Sequence, residues 1–153
     1  MSEQKKTTEI TLNYDYTFEI DTTPNTDVET FARVGDGFNN ATTALNEALY
    51  QASFLTDGGY GSTEVTGGQL TVTLSGVRKI GDDAQDYIFS DAVKNNFGKA
   101  RKTSFRMTDT QGNAISGNCT LAKISESGGD SNQPNAVSVE IHFNGKPVYT
   151  SAT

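Results

Sequence analysis

The sequence predicts a mainly β protein of the α+β class, in which antiparallel strands flank one central helix. Three observations lead to this prediction. Several segments alternate apolar and polar residues, glycine is frequent (15 residues) while proline is rare (3), and one segment combines helical spacing with signals at both ends. The 153 residues suit one domain, 1–153, because a chain of this length can bury roughly 70% of its unfolded surface.

The N-terminal segment carries the clearest strand pattern. Apolar residues occupy every second position over 10–20, which predicts an amphipathic strand within an N-terminal strand or arm at about 7–21. A turn is predicted at 21–27, around Pro24 and Asn25. A short strand over 31–34 follows, closed by Gly35-Asp36-Gly37.

A long loop region is predicted at about 36–68. Within it, alanine and leucine recur at helical spacing, which taken alone predicts an amphipathic helix over about 42–53. The glycine-rich segment 56–68 is predicted to be an exposed loop, and loops of this length are usually functional or disordered.

The second half predicts four strands around one helix. Strands are expected at 69–76, 102–108, 118–125 and 136–143, and Asn144-Gly145 is a tight-turn dipeptide. A single helix is expected over 82–97, with Asp82 as N-cap, Gln85 three residues later and Gly98 just past the end. Residues 125–135 are predicted to form a polar hairpin loop.

Few residues are candidates for chemistry. His142 is the only histidine, and it shares a strand face with Ser138 and Glu140, which is typical of a solvated face. Cys119 has no CxxC partner and is interpreted as a small buried hydrophobe. We therefore predict no catalytic residue, no metal site and no cofactor.

Three further groups have ordinary explanations. The glycines near 58–61 lack the Lys-Ser/Thr of a phosphate-binding loop. Helix capping explains Asp82, Asp83 and Asp86, which also lack the spacing of an EF-hand. A basic run between Lys99 and Arg106 is interpreted as a solvated or intersubunit face.

Charge and cysteine content limit the possible functions. A net charge of −7 argues against sequence-independent binding to DNA, which depends on cations that neutralise phosphates. One cysteine allows no internal disulfide and suits a reducing compartment. The sequence shows no signal peptide and no membrane-spanning apolar run, so we expect a soluble protein, made in a bacterial cytoplasm, that does not bind membranes.

The segment from Gly67 onward resembles the tail tube proteins of bacteriophages with long, non-contractile tails. The most specific blocks are SGVRKIGDDAQDYIF (75–89) and IHFNGKP (141–147). GKARKTSFRMTD and ISGNCTLAKISESGGD lie between them in the same order, and FARVGDG (31–37) extends the resemblance into the first half. The resemblance also favours an extended or loop-like conformation near 41–55, so helix or loop stays open there.

The resemblance implies a β-sandwich or partial barrel of two antiparallel sheets flanked by one helix. It also implies a structural virion protein whose six-membered rings stack into the tail tube that delivers DNA. The expected partners are further copies of the chain, a tape measure protein in the lumen, and tail terminator and distal tail proteins at the tube ends. DNA would pass without specific binding, repelled by acidic residues of the inner sheet.

Candidate interface residues follow from unpaired strand edges, from the glycine-rich loop and from the resembling blocks. They are Tyr14, Tyr16, Phe18, Gly58, Gly59, Tyr60, Gly61, Arg78, Asp82, Asp83, Asn144 and Lys146. Three alternatives remain open: a type VI secretion-like tube protein, a carbohydrate- or ligand-binding β-sandwich module and, third, an enzyme. The absence of tryptophan counts against the second and the single histidine against the third.

Overall fold

The structure is a computed structural model that describes residues 7–152. Its strands are β1 (Thr17–Asp21), β2 (Phe31–Val34), β3 (Phe38–Ala44), β4 (Ala48–Ala52), β5 (Ser62–Gly67), β6 (Thr71–Val77), β7 (Lys102–Thr108), β8 (Ala114–Glu126), β9 (Ala136–Phe143) and β10 (Val148–Thr150). Its helices are α1 (Asp83–Ile88) and α2 (Asp91–Lys94), with 3-10 turns at Asn13–Asp15 and Gly98–Arg101.

The strands form one large and one small antiparallel sheet. The large sheet has the order β2-β1-β7-β8-β9-β6-β3, with β10 also paired to β8. The small sheet consists of β4 and β5 alone. The predicted fold class, a mainly β sandwich or partial barrel with a helical flank, is confirmed.

Strand β8 connects the two halves of the large sheet. It pairs with β7 over residues 114–120 and with β9 over 119–126. An irregularity between Ala122 and Ser125, with Lys123 at φ 51°, bends the strand near its end. The two halves pack against each other around Phe105, whose ring lies 6.2 Å from Phe18 and 6.0 Å from Phe143.

The core is built from the inward positions of the alternating strands. In β9 every second residue is buried and points to this core, as the two-residue period predicts. The helices add their apolar side to the same cluster. Its sixteen members are Ile20, Val34, Val72, Leu74, Ala84, Ile88, Phe89, Val93, Phe105, Met107, Cys119, Leu121, Val137, Val139, Ile141 and Phe143.

The predicted single helix over 82–97 is wrong, because two short helices occupy that segment. The N-cap prediction is confirmed, since the Asp82 carboxylate accepts a hydrogen bond from the Gln85 N–H at 3.1 Å. Ser90 then adopts an extended ψ of 152° and its hydroxyl donates to the Tyr87 carbonyl at 2.8 Å, which separates α1 from α2. Gly98 has a positive φ of 67° but lies beyond the end of α2.

Of the two possibilities left open near 41–55, the helix over 42–53 is wrong, and the extended conformation favoured by the resemblance is observed. Residues 38–44 form β3 and pair with β6, with one irregularity between Phe38 and Asn40, while 48–52 form β4. Asn46, at φ 53°, separates the two strands. The alanine and leucine stripe has no core to pack against as a helix, so the backbone ladder with β6 prevails over a weak local propensity.

The predicted loop regions at 36–68 and 56–68 are likewise corrected. Residues 62–67 form β5, which pairs with β4, so the irregular stretch between the two strands is limited to residues 53–61. The remaining non-regular segments in this region are brief connections.

The predicted strand over 10–20 is only half present. Residues 17–21 pair with both β2 and β7, whereas Asn13–Asp15 is a 3-10 turn and the residues before it pair with no described strand. The alternating pattern gives residues 10–12 the side chains of a strand. A strand also needs a neighbouring backbone for its N–H and C=O groups, and no described strand lies beside these residues. Beyond β9, the Asn144-Gly145 segment interrupts pairing with β8, which resumes in the unpredicted β10. None of the helices between residues 7 and 152 is long and apolar enough to span a bilayer.

Candidate self-association surface

The hairpin formed by residues 45–68, including β4 and β5, projects from the fold without a core of its own. None of its residues joins the hydrophobic cluster, and every residue of β5 is exposed. Its exposed apolar side chains include Leu49, Tyr50, Phe54, Leu55, Tyr60 and Val65. An isolated two-stranded hairpin is at best marginally stable in water, so this arrangement indicates a surface that another body covers.

The tip of the hairpin is ordered by local hydrogen bonds. The Asp57 carboxylate accepts from the Phe54 N–H at 3.1 Å, and the Ser53 hydroxyl donates to the Tyr60 carbonyl at 3.0 Å. Gly58 and Gly59 turn the chain with positive φ values of 61° and 93°. The predicted interface residues 58–61 therefore lie together at this tip, with the Tyr60 side chain 81% exposed.

A cleft lies where the large sheet fails to close, with β1 and β2 on one side and β3 on the other. It comprises two adjoining cavities of about 510 and 620 Å³ that share Tyr16, Phe18 and Ala41. We call this the β1–β3 cleft. The predicted residues Tyr14, Tyr16 and Phe18 all line it. Tyr16 and Phe18 stack with ring centroids 6.2 Å apart.

Both edges of the large sheet are open in the described part of the chain. Strands β2 and β3 end the strand order, so each has one backbone edge without a partner strand. Strand β3, FNNATTA, contains no charged residue and no proline, the devices that usually protect an exposed edge. This edge therefore remains available to another chain.

The predicted interface residues near helix α1 mostly have internal partners. Arg78 donates to Asp86 at 3.0 Å and to Glu126 at 2.8 Å, and its side chain is only 13% exposed. Asp82 caps α1, whereas Asp83 is exposed. Hydrogen bonds from Lys94, the larger effect, and from Arg78 lower the pKa of Glu126.

Asn144 and Lys146 lie in the excursion between β9 and β10. The Asn144 N–H donates to the Asn118 carbonyl at 2.8 Å and its side-chain amide donates to Thr120 at 2.9 Å, while Lys146 is exposed. The predicted residues thus fall in four places: the cleft, the hairpin tip, the start of α1 and this excursion.

Sequence reasoning missed two parts of this surface. Tyr50 lies within the predicted helix over about 42–53, although the two-residue alternation of Ala48, Tyr50 and Ala52 is that of a strand. The open edge of β3 was missed for the same reason, because residues 42–44 of this strand were part of the predicted helix.

The basic run between Lys99 and Arg106 is partly structural. Arg101 donates to the carbonyls of Val93 and Lys94 at 2.8 Å each, at the end of α2. Arg106 donates to Glu19 and lies over the Phe31 ring, 4.3 Å from its centroid.

The two residues singled out for possible chemistry have structural partners. His142 Nε2 lies 2.9 Å from Glu140, whose pKa is lowered mainly by this hydrogen bond. Burial raises the pKa of Cys119 to about 12. Within residues 7–152, no three His, Cys, Asp or Glu side chains group so as to hold a metal ion.

No protein-family model and no curated protein matches the sequence. Solved structures do match over nearly the full length. The tail of an empty gene transfer agent particle, determined with C6 symmetry, is 18% identical with a TM-score of 0.66, over 93% of this chain and 100% of that chain. The SPP1 tail tube is 15% identical with a TM-score of 0.64, over 94% and 80% of the two chains.

A third match is the cap that terminates the tube of the anti-feeding prophage. It is 14% identical with a TM-score of 0.60, over 98% of this chain and 97% of that chain. At these identities the likeness establishes the fold. The chain has the fold of tail tube proteins, as the sequence resemblance predicted.

Proposed function

We propose that this chain is a structural virion protein, a subunit that assembles with copies of itself into stacked six-membered rings forming a phage tail tube. The observation that carries the proposal is the fold shared over 93% of this chain and the whole of a subunit from a C6-symmetric tail. The chain acts by assembly and catalyses no reaction. It is made in the host cytoplasm and resides in the virion.

The exposed surfaces support self-association. The hairpin displays apolar side chains that nothing in the described chain covers, and the sheet ends in two unpaired edges on opposite sides of a cleft. Because hairpin and cleft are different surfaces, a contact between them is head-to-tail. Such contacts close into rings when the rotation divides a full turn and otherwise continue as a helix.

The interface in this proposal comprises the hairpin tip around Tyr60, the N-terminal segment with Tyr14, and the exposed Asp83 and Lys146. The lumen holds a tape measure protein before DNA passes, and terminator and distal tail proteins close the two ends. DNA slides without specific binding because the subunit has a net charge of −7 and Arg106 is already paired with Glu19.

Electron microscopy and sedimentation velocity of the purified protein over a range of concentrations test this proposal. We expect six-fold rings or hollow tubes at high concentration and folded monomers at low concentration. A protein that stays monomeric at every concentration and salt condition, also when mixed with the other tail components, would contradict it.

A further inference from the structure

We propose that the β4–β5 hairpin of one copy docks in the β1–β3 cleft of a second copy, with Glu64 of the first facing Arg33 of the second. This inference rests on the proposed function and assigns its principal contact. The hairpin face involved consists of Tyr50, Ala52, Phe54 and Glu64, and we call it the Tyr50 face.

Strand register places Tyr50, Ala52 and Glu64 on one side of the hairpin, and Phe54 lies just beyond the end of β4. Tyr50 pairs directly with Glu64, and directly opposed residues in a sheet point to the same face. Ala52 follows Tyr50 two residues later within β4, and Phe54 begins the turn that follows the strand. Tyr50 and Phe54 are each 54% exposed, so the face presents two aromatic rings and one carboxylate to solvent.

The cleft offers complementary chemistry. Its walls carry the rings of Tyr14, Tyr16 and Phe18 on the β1 side and the short side chain of Ala41 on the β3 side. Two cavities of about 510 and 620 Å³ leave room for aromatic side chains. Aromatic pairs gain energy beyond the area they bury, so this cleft suits the rings of the Tyr50 face.

Charge supports the same orientation. The hairpin carries Glu47, Asp57 and Glu64 and no lysine or arginine. None of these carboxylates forms an ion pair in the described structure, although Asp57 is occupied at the tip by the Phe54 N–H. Glu64 is therefore the acidic group of the Tyr50 face that lacks a cation.

Arg33 is the matching surplus cation on the cleft. Its cross-strand neighbour Glu19 is bound by Arg106 at 2.9 Å, and the nearby Asp36 is bound by Lys79 at 2.7 Å. Arg33 is exposed and forms no ion pair with a described carboxylate. A partner that places one carboxylate beside Arg33, at the edge of the β1–β3 cleft, neutralises its charge.

The occupant is a second copy because the hairpin does not cover its own cleft. The Asn46 amide donates to the Gln69 carbonyl at 3.0 Å and to the Thr71 hydroxyl at 2.9 Å, and the Gln69 N–H donates to the Leu45 carbonyl at 2.6 Å. These bonds fix the direction in which the hairpin leaves the sheet. In that position Tyr50, Phe54 and Glu64 stay exposed.

Charge reversal tests the contact. We expect Arg33→Glu and Glu64→Lys each to raise the concentration needed for assembly by about tenfold, and the double variant to recover near wild-type assembly. Arg33→Glu combined with Glu47→Lys is the matched control, which stays impaired because Glu47 lies outside the Tyr50 face. Pelleting and electron microscopy measure assembly, and circular dichroism checks that each variant is folded.

A cross-linking experiment tests the same contact without changing charge. Separate preparations of Phe54→Cys and Asn40→Cys, mixed under oxidising conditions, should form disulfide-linked dimers, whereas Ser131→Cys mixed with Asn40→Cys should not. Wild-type protein that never assembles would contradict the proposed function itself. Wild-type protein that forms tubes, while neither the charge-reversed double variant nor the mixed cysteines respond, would overturn only this docking assignment.

Discussion

Gln85 is completely buried, and its amide joins three segments of the chain. Its nitrogen donates to the carbonyls of Asp36 and Val77 at 3.2 and 2.9 Å, and its oxygen accepts from the Lys79 N–H at 2.8 Å. The turn between β2 and β3, the end of β6 and helix α1 are thereby held together. A buried amide with all its partners satisfied specifies geometry, and its loss leaves several groups unpaired.

We predict that Gln85→Met destabilises the protein by about 3 kcal/mol, because two carbonyls and one N–H lose their buried partner while the side-chain volume hardly changes. Urea unfolding followed by circular dichroism measures the effect. Gln111→Met, at an exposed position, is the control and should change stability by less than about 0.5 kcal/mol. A similar small change for Gln85→Met would show that the network contributes little.

Cys119 should resist alkylation in the folded protein. Burial raises the pKa of its thiol from 9.0 to about 12, so at pH 8.5 the reactive thiolate is scarce as well as inaccessible. We expect iodoacetamide to label the native protein at least a hundred times more slowly than the urea-unfolded protein, measured by mass spectrometry. Ser131→Cys, in an exposed loop, supplies a thiol that should react quickly in both states. Rapid labelling of native Cys119 would contradict its burial.

At the scale of elements, the sequence identifies strands whose pattern and partners agree. Strands β7 and β9 lie where alternation predicts them, because each has neighbours on both sides and one face in the core. Asp82 is also predicted correctly, since a helix cap depends on residues only three positions apart. Local signals succeed where the interaction they describe is itself local.

The failures occur where distant segments decide the outcome. Residues 42–53 have the spacing of a helix, but β3 pairs with β6 in the large sheet and β4 pairs with β5 in the small sheet. Residues 10–12 have the spacing of a strand, yet no described strand lies beside them. For the candidate site, the glycine tip could be predicted from composition, whereas the cleft arises only from the curvature of the whole sheet.

Glu126 connects an element to the sheet and makes part of the stability depend on pH. It accepts from Lys94 in α2 at 2.6 Å and from Arg78 at the end of β6 at 2.8 Å, and these bonds lower its pKa below the ordinary 4.5. A carboxylate whose pKa is lower in the folded than in the unfolded protein stabilises the fold fully at pH values above its unfolded-state pKa. That contribution is lost as pH falls through the folded-state pKa.

We therefore predict that Glu126→Gln lowers stability at pH 7 by on the order of 1 kcal/mol and that the difference from wild type shrinks as the pH falls below 4.5 and Glu126 becomes protonated. Thermal unfolding at several pH values measures both variants. The other carboxylates, including Glu140, are common to both proteins and cancel in the difference. A difference that stays constant from pH 7 to pH 3 would rule out this ionic contribution.

At the scale of the whole molecule, the hydrophobic core and the surface to which we assign assembly lie in different parts of the chain. The body, meaning the described residues outside 45–68, contains the entire hydrophobic cluster, the helices and the large sheet. The hairpin contains exposed apolar and acidic side chains and only its own two-stranded ladder. Selection for folding alone gives no reason to keep such a hairpin, whereas assembly does.

Replacing residues 48–67 with two glycines separates these roles. Ala48 pairs with Gly67, so the two ends are already adjacent and a short link joins them without strain. We predict a melting temperature within about 2 °C of the wild-type monomer, because no core contact is removed, together with complete loss of tubes in electron micrographs. A large drop in melting temperature would show that the hairpin supports its own body.

The same variant keeps the β1–β3 cleft, and this leads to a result that simple loss of function would not produce. It can accept the hairpin of a wild-type copy but offers none in return, so each incorporated copy interrupts the head-to-tail series. Adding it to wild-type protein at about one part in ten should shorten the tubes in proportion to the amount added. Adding the same variant with Arg33→Glu should shorten them much less, and equal shortening by both proteins would argue against the cleft as the receptor.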